Sequence, residues 1–287
     1  MSPVPWFRLR LIILLIVFTG GVISDISHPV WTQSRYMGEG YFESAMDKYV
    51  QGLYDEAIPI YRKFLEIAPY DFQGHYFLAR CYSFTGDTGN ARTYFDLSLK
   101  IIPDNYDAHY HYGALLLGLG EDARALEHFE KAHESIPTLG DAVVQMGNVH
   151  RYRKDYAGAM QCYRRAMKIE PGLVDSYIAA GVALREQGDA QSALKSLRSG
   201  LKRKPGSPAA LYEIGNTLRQ TGDRPGAMES YEKAIAARPR YAEALNAAGE
   251  IYLEQGNRNR ARESFTKALA ANPWYLPASE NLKHIPE

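Results

Sequence analysis

Along most of this chain apolar residues return every three or four positions, in short runs separated by a polar turn that contains glycine. In ALYEIGNTLRQTGDRPGAMESYEKAIAARP, residues 210–239, Leu211, Ile214, Gly215 and Leu218 form one apolar stripe, Gly222 and Asp223 interrupt it, and Ala227, Tyr231 and Ala234 resume it. That spacing predicts helix, turn, helix. The proline at the end cannot continue the second helix and closes the unit.

The unit repeats. Pro69, Pro103, Pro137, Pro171, Pro205, Pro239 and Pro273 are spaced at 34 residues throughout, and Ala57, Ala91, Ala125, Ala159, Ala193, Ala227 and Ala261 keep the same interval. A period of this length marks a stacked-repeat architecture. Small residues stand at Ala45, Ala79, Gly113, Gly147, Gly181, Gly215 and Gly249. Large ones stand at Tyr61, Phe95, Phe129, Tyr163, Leu197, Tyr231 and Phe265. The small residue and the alanine let two helix axes approach, and the large side chain fills the space beside them. The turn carries Gly52, Gly86, Gly120, Gly188, Gly222 and Gly256, as a left-handed helix end favours, with Lys154 in the fourth copy.

A helix pair of 34 residues with these signature positions resembles the tetratricopeptide repeat. The resemblance runs from Gly38 to Tyr275. It implies an all-α, right-handed superhelical solenoid of seven helix-turn-helix repeats, 38–71, 72–105, 106–139, 140–173, 174–207, 208–241 and 242–275, with a C-terminal capping helix in 276–287. Leu276, Leu282 and Ile285 are available to cover the last open face, which stacked repeats require. Phe64, Ser98 and Gly200 replace the second-helix alanine, and the large aromatic at the fourth position survives only as Tyr41 and Tyr177. The first, second and fifth repeats are therefore expected to pack less regularly.

The first residues differ from the rest. Arg8 and Arg10 precede LIILLIVF, and the apolar stretch continues through TGGVIS to Ser24. Residues 1–24 read as a cleaved signal peptide or a membrane anchor, followed by a linker at 25–37. Either reading sends the repeats to the non-cytoplasmic side, tethered to the membrane or exported to a periplasm. Lysine plus arginine equals aspartate plus glutamate at 33 each, so no global field favours nucleic acid. Cys81 and Cys162 fall two repeats apart and are expected to be free thiols.

The segment EDARALEHFEKAHESIP, residues 121–137, concentrates Glu127, His128, Glu130, His133 and Glu134. His128 and His133 lie roughly 140° apart around a helix, and Phe129, not glutamate, follows the first. That is not the zinc-protease arrangement. His109 and His111 face different sides, while His75 and His109 share a repeat position and suit packing. GLGEDA at 118–123 imitates a dinucleotide fingerprint but follows a helix, not a strand. The expectation is no catalytic residue, no metal and no cofactor.

The resemblance implies that positions 2, 5, 6, 9, 12 and 13 of each repeat line a concave groove. Phe42, Tyr49, Tyr76, Phe77, Phe84, Tyr110 and His111 occupy them toward the N-terminus. Gln145, Asn148, Arg151, Tyr152, Arg185, Tyr212, Asn216 and Arg219 occupy them later. Arg151, Arg185 and Arg219 hold one equivalent position in successive repeats and suit peptide carboxylates, unless Arg185 pairs with neighbours such as Glu186 or Glu213 and the row is solvated surface. Asn148 is followed by Ala179, and Asn216 by Ala247, so the family's terminal-carboxylate clamp is not reproduced.

The expected function is a non-enzymatic protein-binding scaffold holding an extended peptide or protein segment, in an envelope, secretion or polysaccharide assembly system. The alternative is a dedicated regulatory or positioning subunit of a separate enzyme. Expected partners are proteins or peptide segments, and the membrane if residues 1–24 are retained. Nucleic acid is not among them, and the sequence does not set the oligomeric state.

Overall fold

The computed structural model describes residues 29–285, so the signal or anchor reading of residues 1–24 lies outside the described residues. Among the described residues there are fifteen helices and no strand. The chain forms two compact units that divide between Ile101 and Ile102. The first contains α1 (Pro29–Val50), α2 (Tyr54–Ile67), α3 (Phe72–Thr85) and α4 (Thr88–Ile101). The second contains α5 (Tyr106–Gly118), α6 (Asp122–Ser135), α7 (Asp141–Tyr152), α8 (Tyr156–Ile169), α9 (Val174–Glu186) and α10 (Ala190–Arg203). It continues with α11 (Pro208–Gln220), α12 (Arg224–Ala237), α13 (Ala242–Glu254), α14 (Arg258–Ala271) and α15 (Leu276–Lys283). Helix α1 begins at Pro29, within the stretch read as a linker. No described helix is long and apolar enough to cross a membrane.

Short polar residues start the helices. Asp71, Asn105, Asp155, Asp189, Ser207, Asp223 and Asn257 each accept a hydrogen bond from the backbone N–H three residues on. The turn glycines adopt the left-handed region, and Lys154 takes the same conformation at φ 60°.

Inside each helix pair the small position of the first helix lies under the large side chain of the second. A Cβ on Gly113 would meet Phe129 at 2.9 Å, one on Gly181 would meet Leu197 at 2.6 Å, and one on Gly249 would meet Phe265 at 2.6 Å. Only hydrogen fits there. Tyr61, Phe95, Phe129, Tyr163, Leu197, Tyr231 and Phe265 are fully buried, as are the periodic alanines.

The departures are matched by exchanges of size. Phe64 is buried between Gly38 and Gly74, whose added Cβ atoms would approach its ring at 2.8 and 2.7 Å. Gly200 lies against Tyr177, with 3.2 Å between its missing Cβ and the tyrosine Cβ. Ser98 is buried and returns its hydroxyl to the Phe95 carbonyl at 2.8 Å. At these sites the expected irregularity is absorbed by glycine opposite a ring, or by a local hydrogen bond.

At the C-terminus Ala278 and Ile285 are buried in the cluster around Phe265, with Leu282 packed against it. Leu276, the first residue of α15, departs from the expectation: it is 69% exposed. Cys81 and Cys162 are free, and burial pushes the Cys81 thiol up to about 12.

Candidate functional site

In the second unit the first helices α5, α7, α9 and α11 touch in succession and Arg219 links α11 to α13, while successive second helices do not approach as closely as α5, α7, α9 and α11 do. This places α5, α7, α9, α11 and α13 on the inner side of that unit, where the arginine row lies. Each arginine is paired with a glutamate of the following first helix. Arg151 donates to Glu186 at 2.6 Å and Arg185 to Glu213 at 3.2 Å. Arg219 donates to Glu250 and, at 2.6 Å, to Glu254. Hydrogen bonds from Arg224 and Arg219 hold the Glu254 carboxyl below the usual carboxylate range. The row is thus a ladder of links between repeats. Nε of Arg151 and of Arg185 is buried without a hydrogen-bond partner among the described residues.

The asparagines serve the core tyrosines. Tyr163 donates its hydroxyl to Asn148 at 2.9 Å, and Tyr231 donates to Asn216 at 2.8 Å. Their amide groups turn to Gln145 at 3.0 Å and Glu213 at 3.2 Å. Gln145 in turn donates to the Tyr110 hydroxyl at 3.1 Å. Tyr110 packs edge-on against His111 and Phe129, and Tyr212 lies between Tyr231 and Tyr241. Tyr152 is 61% exposed, with the Arg151 guanidinium 4.4 Å from its ring centroid. Of this inner face it is Tyr152 that offers a large free surface.

The first unit is different. Phe77 is surrounded by Phe42, Tyr49, Tyr61 and Tyr76 at centroid distances of 4.9–6.1 Å. Phe84 stacks on Tyr54 at 4.3 Å and remains 52% exposed. Arg80 lies above Tyr49, Tyr76 and Phe84, 5.4 to 5.9 Å from their ring centroids, a distance at which ring quadrupoles attract a cation. Its guanidinium also reaches the Tyr76 hydroxyl at 3.5 Å. No carboxylate among the described residues pairs with it. Arg80 and Tyr54 were not among the residues singled out from the sequence. Arg80 stands at the ninth repeat position, a groove position, and that register was the available signal.

His128 of the histidine-rich helix α6 pairs with His109 of α5. His109 gives its Nε2 proton to the Pro103 carbonyl at 2.8 Å, so its Nδ1 accepts from Nδ1 of His128 at 2.9 Å. Burial and the neighbouring His109 push His128 down to about 4. No group of three metal-ligating side chains occurs among the described residues.

Models of the tetratricopeptide repeat match residues 72–105, 144–208 and 242–273, and a TPR repeat model matches 215–256. A tetratricopeptide repeat protein from Parabacteroides merdae is 18% identical with a TM-score of 0.69, covering 88% of this chain and 98% of its own. Yeast Tom70 is 17% identical with a TM-score of 0.74, over 96% of this chain and 56% of its own. A thermophilic TPR protein of Thermus thermophilus is 22% identical with a TM-score of 0.55, over 62% of this chain and 97% of its own. A search of curated proteins finds no match. At these identities the structural likeness concerns the fold.

Proposed function

We propose that this chain, a tetratricopeptide repeat protein, is a non-enzymatic scaffold that binds an extended peptide or protein segment along its first helices. The observation that carries the reading is Arg80, a cation held over three aromatic rings with no carboxylate paired to it among the described residues, beside the exposed ring of Phe84. An apolar or aromatic side chain of a partner suits Phe84 and Tyr54, and a nearby carboxylate suits Arg80. The inner face of the second unit contributes Tyr152, while Arg151, Arg185 and Arg219 are committed to glutamates.

The same reading holds the repeats outside a cytoplasmic membrane, tethered or released by residues 1–24, within an envelope, secretion or polysaccharide assembly system. Its support is Arg8 and Arg10 ahead of the apolar run from Leu11. Crosslinking and capture from membranes, with the native N-terminus and intact mass read on the same sample, tests both parts. Envelope proteins captured by the wild type and lost in Arg80→Ala/Phe84→Ala are expected. Equal capture by that variant rejects the binding surface, and recovery of the protein only from cytosol rejects the location.

A further inference from the structure

The second helices of the second unit carry a repeated ion pair. Glu127 and Lys131 meet at 2.7 Å, and Glu229–Lys233 and Glu263–Lys267 meet at 2.6 Å, in every case at positions 22 and 26 of the repeat. Two adjacent repeats break this rule. Position 22 is Gln161 in one and Lys195 in the next. Position 25, glutamate in Glu130 and Glu232, becomes Arg164 and Arg198, and position 29, glutamate in Glu134, becomes Lys168 and Lys202. Neither 161–169 nor 190–207 contains an acidic residue.

These side chains share one face of each helix, because positions 22, 25 and 29 are separated by three and four residues. Arg164, Arg165, Lys168, Lys195, Arg198 and Lys202 are all exposed, and none is in an ion pair with a carboxylate among the described residues. The two helices are tied together by Arg203 of α10, which donates to the Pro171 carbonyl just after α8 at 2.7 Å. Arg165 is oriented by His133 of α6, 2.6 Å from its Nη2. Gln161, Arg164, Arg165 and Lys168 line a shallow recess of about 310 Å³.

We propose that this outer face of α8 and α10 is a second docking surface, and that it takes an acidic helical segment of a partner protein with carboxylates at i, i+3 and i+7. That spacing is already realised with opposite sign by Glu127, Glu130 and Glu134 on α6. Guanidinium forks in a recess accept carboxylates two oxygens at a time. A polynucleotide is disfavoured because no exposed aromatic ring lies between Arg153 and Pro273 for bases to stack on. A lipid surface is disfavoured because that stretch also exposes no large aliphatic side chain to enter the interface. The surface is separate from the first-helix face and does not depend on it.

The test uses the full chain and a labelled helical peptide with glutamates at i, i+3 and i+7, beside an isomer of the same composition with that spacing scrambled. Phosphatidylglycerol vesicles and polyuridylate are run in parallel. Binding of the spaced peptide that falls with added salt, and about tenfold weaker binding by Arg164→Glu/Lys168→Glu/Arg198→Glu/Lys202→Glu, is expected. Phe84→Ala should leave it unchanged. Arg164→Gln/Arg198→Gln supplies the same comparison if the reversal variant loses its helical circular dichroism. Equal affinity for the scrambled peptide, no effect of the substitutions, or tighter binding to vesicles or polyuridylate overturns the proposal.

Discussion

The hydroxyl of Tyr231 donates to Oδ1 of Asn216 at 2.8 Å across one helix pair, and Tyr163 repeats the bond to Asn148 in the same register. Where the core residue is phenylalanine, as at Phe129 and Phe265, the partner positions are Ala114 and Glu250. The asparagines therefore satisfy buried phenols. Asn216→Ala should cost about 1–3 kcal/mol by stranding the Tyr231 hydroxyl. Adding Tyr231→Phe should cost much less than it does alone, and the double-mutant cycle in urea measures this coupling. Strict additivity would mean that the bond contributes nothing.

Gly249→Ala places a methyl 2.6 Å from Cε1 of Phe265, a fully buried ring. Overpacking of this kind should destabilise by about 1–3 kcal/mol. Gly118→Ala, where an added Cβ would meet nothing within 4 Å beyond its chain neighbours and its own helix backbone, is the control and should not lower the melting temperature. Equal midpoints for the two variants would contradict the close approach of the paired helices.

Lys154 holds the left-handed conformation that glycine holds at Gly86, Gly120 and Gly188. Lys154→Gly should stabilise by about 1 kcal/mol, because the steric cost of a Cβ at positive φ exceeds the added chain entropy of glycine. A lowered melting temperature would show that Lys154 makes a compensating contact.

Burial, with His109 and Lys131 nearby, lowers His128 from an ordinary value near 6.5 to about 4. Between these values the unfolded chain binds a proton that the folded chain refuses. Stability from this site is full above about pH 6.5 and falls as pH drops toward 4. Nuclear magnetic resonance should find His128 titrating near 4, and His128→Gln should flatten the acid slope of the melting temperature. Titration of His128 near 6.5 would show that the pair with His109 does not form in solution.

The helix pairs, the turn glycines and the small residue opposite each ring were legible in the sequence, because they recur at one interval and follow from local rules. The alternative that Glu213 neutralises Arg185 was legible too. Less visible were the partners of the other arginines. Arg151 meets Glu186, 35 residues on, and Arg219 meets Glu250 and Glu254, so the pairing depends on how one repeat stacks on the next. The contact of His109 with His128 spans 19 residues across a helix pair, and no periodic signal marks it. Arg80 lay in the groove register, yet its setting emerges only when the rings of Tyr49, Tyr76 and Phe84 are placed around it.

The central claim is that a partner segment docks on the first-helix face around Phe84 and Arg80. A photo-crosslinking amino acid at Phe84, compared with the same group at exposed Thr266 on α14, tests it in the native membrane fraction. The account predicts a discrete protein adduct from position 84, lost on Arg80→Ala, and none from position 266. Adducts of equal yield at both positions, or at 266 alone, would contradict it.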